Sequence, residues 1–125
     1  MNFDKVVAGF FIILAMTLNF GFFYGDLGDI LLHSKYELFA AIIINIIATV
    51  LKLGDRTQMG SVLLATSLVA VLQLVAAASV WAIAGYNVVV SSELSSVIIS
   101  LSGGALLANI TSVILYIGET VKSRR

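Results

Sequence analysis

Residues 59–84 read MGSVLLATSLVAVLQLVAAASVWAIA, and no charged side chain occurs between Arg56 and Glu93. An α-helix rises about 1.5 Å per residue, so roughly 20 apolar residues match the hydrocarbon thickness of a bilayer. This stretch is expected to form a transmembrane helix and not the core of a soluble domain. Three further apolar segments lie around it, at about 5–24, 36–53 and 94–121. Together they predict an all-α fold: one transmembrane domain over 1–125, a four-helix bundle of up-down topology. The second segment is the shortest, so its ends are expected at the interfaces. The third and fourth are long enough to tilt.

Composition points the same way. Hydrophobic residues make up 60% of the 125 residues, charged residues 11%, and the mean hydropathy is +1.08. A soluble domain is roughly half apolar and about a quarter charged. The lipid bilayer is thus the first expected partner. With zero net charge and scattered cations, nucleic acid is not an expected one.

The cations are unevenly placed. Lys5, Lys52, Arg56, Lys122, Arg124 and Arg125 fall on one side of the four segments, and Lys35 alone falls on the other. Loops rich in lysine and arginine stay cytoplasmic. Both termini and the 54–58 turn are therefore expected inside, and the 25–35 and 85–93 loops outside. The first segment ends in Phe22, Phe23 and Tyr24. A cleaved signal peptide needs small residues there, so an interfacial aromatic belt is the better reading.

Catalytic and metal chemistry find little to work with. The chain has no cysteine, which removes thiol catalysis, disulfides and cysteine-ligated metals. Its single histidine, His33, follows Asp26 and Asp29 in a polar loop, where acids are usually just solvated. No nucleophile–base pair is apparent, so the chain is not expected to be an enzyme. No metal and no cofactor are expected either. Gly54 reads as the end of the second helix and Asp55 as the cap of the third.

Each segment carries one carboxamide: Asn19, Asn45, Gln73 and Asn109. Counted along each segment, Asn45 and Gln73 lie near the middle, Asn109 slightly toward the cytoplasm and Asn19 in the outer third. An amide facing hydrocarbon leaves its donors and acceptors unsatisfied. These four are expected to turn inward, as interhelical hydrogen bonds or as the lining of a polar path. No acid or base lies near the middle of any segment, which counts against proton-coupled exchange. The fourth segment also carries Ser100, Gly104, Ala108 and Ser112 at intervals of four, a face on which helices can approach closely.

The segments NFDKVVAGFFIILAMTLNFGFFYG, YELFAAIIINIIATVLKLGDRTQMGSVLLATSLVA and SLSGGALLANITSVIL resemble a small family of bacterial inner-membrane proteins known as a domain of unknown function. The resemblance covers most of the chain and implies an inner-membrane location, with no reaction and no cofactor. Small multidrug exporters match in length, but they depend on a glutamate in the first span, where this chain has Ala15 and Met16.

The functional expectation is a non-enzymatic accessory or regulatory subunit of a larger transporter or channel complex. The alternative is a self-assembling oligomeric channel or transporter with an amide-lined path. Either way the chain is expected in a homo-oligomer or a larger membrane protein complex.

Overall fold

A computed structural model describes residues 3–24, 33–53, 58–85 and 90–123. The described residues form four helices and no strand: α1 (Phe3–Phe23), α2 (Lys35–Lys52), α3 (Gln58–Ala84) and α4 (Ser92–Ser123). The caps expected at Gly54 and Asp55, and the acids Asp26 and Asp29, lie outside the described residues.

Local chemistry sets the ends that are described. Ser34 is extended (φ −81°, ψ 118°), and its hydroxyl accepts from the Glu37 N–H at 3.3 Å. That bond satisfies one of the free amides opening α2. Ser91 does the same for α4, accepting from the Leu94 N–H at 3.2 Å. At the end of α3, Gly85 takes a φ of 93° and donates to the carbonyls of Trp81 (2.9 Å) and Ala82 (3.1 Å). A side chain at that φ would be strained, so glycine is the residue that can close the helix there.

The helices form a closed ring in chain order: each packs against its sequence neighbours, and α4 returns to α1. Neighbours run antiparallel. Tyr116, late in α4, donates its hydroxyl to the Lys5 carbonyl early in α1 at 2.5 Å, while Glu37, early in α2, lies against Gly21, late in α1.

Buried positions recur at alternating intervals of three and four. They are Leu38, Ala41, Asn45, Ala48 and Lys52 in α2, and Gly60, Leu63, Ser67, Ala70, Leu74, Ala77 and Trp81 in α3. In α4 the series is Ser95, Ile98, Ser102, Ala105, Asn109 and Ser112. A 3.5-residue repeat keeps one seam facing inward and gives left-handed bundle packing.

Across the two diagonals, long side chains make the reach. Phe22 of α1 meets Trp81 of α3 with ring centroids 6.1 Å apart. Near the opposite end, Lys52 of α2 meets Ser112 of α4 at 2.7 Å. Phe22, Leu38, Leu74, Trp81, Ile98 and Ile99 fill the interior around the first crossing.

The outer surface is as apolar as the core. Ile83, Leu72, Leu107 and Ile114 are all more than 60% exposed. Such a surface marks a contact with lipid or protein. Three helices, α1, α3 and α4, are long and apolar enough to cross a membrane. The fourth, α2, has 18 residues and carries Lys35 and Glu37 at one end and Lys52 at the other.

Candidate functional site

Two layers of polar side chains bridge helices inside the bundle on the 3.5-residue seam. In the middle layer, Asn19 of α1 and Asn109 of α4 are both buried. The Asn109 amide donates to Asn19 Oδ1 at 3.0 Å, and the Asn19 amide donates to the Ser102 carbonyl at 2.9 Å. Ser102 turns its hydroxyl back onto the Ile99 carbonyl at 2.7 Å. Ser95, Ser102 and Asn109 stand seven residues apart, so the repeat places all three on one buried stripe of α4.

Lys52 forms the second layer. Although it is the last residue of α2, its side chain is 93% buried (7% exposed). The ammonium donates to the Ser67 hydroxyl in a very close contact, to the Ser112 hydroxyl at 2.7 Å and to the Leu63 carbonyl at 3.4 Å. Three donors therefore meet three neutral acceptors on α3 and α4. Among the described residues Lys52 has no carboxylate partner. Burying a charge is expensive unless its protons are all bonded, and here the serines supply those bonds.

The other two carboxamides behave differently. Asn45 is buried, but its amide donates to the Ala41 carbonyl of its own helix at 2.7 Å, and the Asn45 carbonyl accepts from Thr49 at 2.7 Å. Gln73 sits on the outer side of the α3–α4 seam, where Gly104 leaves room for its amide. Its Oε1 is enclosed and has no hydrogen-bond partner among the described residues. The four amides therefore do not form one network: Asn19 and Asn109 pair, Asn45 is bonded within α2, and Gln73 lies in the α3–α4 seam against Gly104.

The four-residue ridge of α4 divides in the same way. Ser112 turns inward to Lys52, Gly104 abuts Gln73, Ala108 is half-buried and Ser100 is exposed. The inward face follows the 3.5-residue repeat, and a strict interval of four drifts around the helix away from it.

Sequence reasoning treated Lys52 as a topology marker and passed over Ser67 and Ser102. The available signal was the interval of seven between Asn45 and Lys52, which puts both on one face of α2. His33, assigned to a polar loop, is buried, with its Nδ1 2.5 Å from the Phe22 carbonyl and its ring 5.6 Å from that of Phe22. No cluster of metal-ligating side chains occurs among the described residues.

Residues 32–120 match the profile of a family of unknown function. No curated protein and no solved structure matches the chain.

Proposed function

We infer that this chain, which belongs to DUF6394, a family of unknown function, is a non-enzymatic accessory or regulatory subunit of a larger transporter or channel complex in the bacterial inner membrane. In this reading α2 crosses the bilayer together with α1, α3 and α4, and both termini are cytoplasmic. The cation distribution supports the orientation. Lys52, at the inner end of α2, then lies where the positive charges gather.

One observation carries the accessory reading: the interior is filled, and polar side chains bridge helices within it. Large side chains occupy one end of the bundle, and the Asn19–Asn109 and Lys52–Ser67–Ser112 bonds tie the rest together. Such bonds contribute about 0.6 to 2 kcal/mol each in a membrane interior and fix helix register. A rigid bundle with an apolar exterior suits docking against another membrane protein.

The alternative is an oligomeric channel. Its support is Gln73 and Ser100 on the outer side of the α3–α4 seam, where several copies would place them around a common axis. Purification at native abundance in lipid-retaining polymer discs separates the two. A stoichiometric larger membrane protein is the expected result. A ring of this chain alone would favour the channel and overturn the accessory role.

A further inference from the structure

Two open grooves run end to end along the seam between α3 and α4, and their chemistry changes along the way. The one toward the start of α4 measures about 670 Å³ and is lined by Ser92, Glu93, Ser96, Ser100 and Gln73 together with the apolar Val97 and Leu101. The next measures about 500 Å³ and is lined mainly by apolar groups, among them Val62, Val69, Leu107 and Ala108. Gln73 borders both.

The hydroxyls in the first groove differ from those of the exposed threonines. Exposed Thr17 and Thr111 tie their hydroxyls to carbonyls of their own helices, at 3.0 and 2.9 Å. Ser92, Ser96 and Ser100 have no such bond among the described residues, and neither has the enclosed Oε1 of Gln73. Hydroxyls free of such bonds can donate to a ligand's oxygen acceptors, and the amide nitrogen of Gln73 at the deep end of the groove can do the same. The groove therefore offers a carboxylate at the helix start, hydroxyls one and two turns deeper, an amide beyond them and then an apolar channel.

We propose that this seam binds one aminophospholipid molecule: the amine on Glu93, the phosphate and ester oxygens accepting from the serine hydroxyls and the Gln73 amide nitrogen, and an acyl chain in the apolar groove. The order of groups along the seam matches their order along such a lipid from headgroup to tail. A lipid with an uncharged glycerol head offers Glu93 no cation and brings its own negative charge toward the carboxylate. The site rests on α3 and α4 crossing the bilayer, with the start of α4 at its surface, and not on the accessory role.

The test uses the full-length protein in bilayer nanodiscs containing equal phosphatidylethanolamine and phosphatidylglycerol, with retained lipid read by native mass spectrometry. The wild type is expected to keep phosphatidylethanolamine over phosphatidylglycerol by roughly twofold to fivefold, the range of an exposed ion pair. Glu93→Gln should abolish the preference, and Glu93→Asp should keep it. Ser96→Ala combined with Ser100→Ala should lower retention of both lipids. Free phosphoethanolamine, which has no chains, should not displace the lipid; displacement would assign the site to a soluble amine. Equal retention of the two lipids by the wild type, an unchanged preference in Glu93→Gln, or a second copy occupying the seam would each overturn the proposal. Failure to enter nanodiscs at all would instead overturn the membrane reading beneath it.

Discussion

Asn109 donates to Asn19 across the α1–α4 interface at 3.0 Å, and the two amides lie at the same level of the bundle. Counted from their shared end, Asn19 is 19 − 3 = 16 residues into α1, and Asn109 is 123 − 109 = 14 residues from the end of α4. Removing either amide strands the other in a setting with few alternative partners.

Asn19→Leu and Asn109→Leu should each lower the unfolding midpoint in detergent, and the double variant should lose less than the two singles combined. The coupling is expected near 1 kcal/mol, the range for hydrogen bonds between membrane helices. Asn45→Leu should cost less than either, because its amide serves only a carbonyl of its own helix. Strict additivity of the Asn19 and Asn109 effects would contradict the pairing.

Lys52 and Ser112 should also be coupled, with an asymmetry between them. Ser112→Ala leaves the ammonium short of one of its three acceptors, at a cost of roughly 1 to 3 kcal/mol. Lys52→Met removes the buried charge while keeping the apolar stem, which is often neutral or even stabilising. The double variant should therefore resemble Lys52→Met alone. Chemical denaturation of all four proteins in one detergent gives the comparison, and an undiminished Ser112→Ala effect in the methionine background would rule it out.

Topology has its own expected outcome. Single cysteines at Ser34 and Ser123 should label from opposite sides in intact cells, Ser34 from outside and Ser123 only after permeabilisation. The chain has no native cysteine to confuse the signal. External labelling of Ser123 would reverse the orientation.

The helices begin and end within two residues of the apolar segments, because uncharged runs and serine or glycine ends carry that information locally. The interior was less legible. Depth counted along single segments separated Asn19 from Asn109, since α1 stops four residues after Asn19 whereas α4 continues well past the matching level. A lysine at a helix end is also ambiguous by sequence: its long stem lets the ammonium reach outward to water or inward to Ser67 and Ser112. The 3.5-residue interval resolves that ambiguity only once Asn45 is known to face inward.

The glycines of α4 should respond in graded order. A Cβ at Gly118 meets nothing within 4 Å, so Gly118→Ala should raise stability through helix propensity alone, by up to about 1 kcal/mol. At Gly104 the same atom would come within 2.7 Å of the Gln73 amide, the far end of a flexible side chain that can swing away. Gly104→Ala should then be tolerated, and Gln73→Ala should make it easier still. Gly103 is the stricter position, because its Cβ would lie 2.8 Å from the Phe23 ring, which is half-buried in the α1 interface. Gly103→Ala should lower the melting temperature more than Gly104→Ala, and Gly104→Leu should lower it further by forcing α3 and α4 apart. Thermal melts of these five variants in one detergent test the order. If Gly104→Leu melts like the wild type, Gly104 does not lie against α3 and the seam is packed differently.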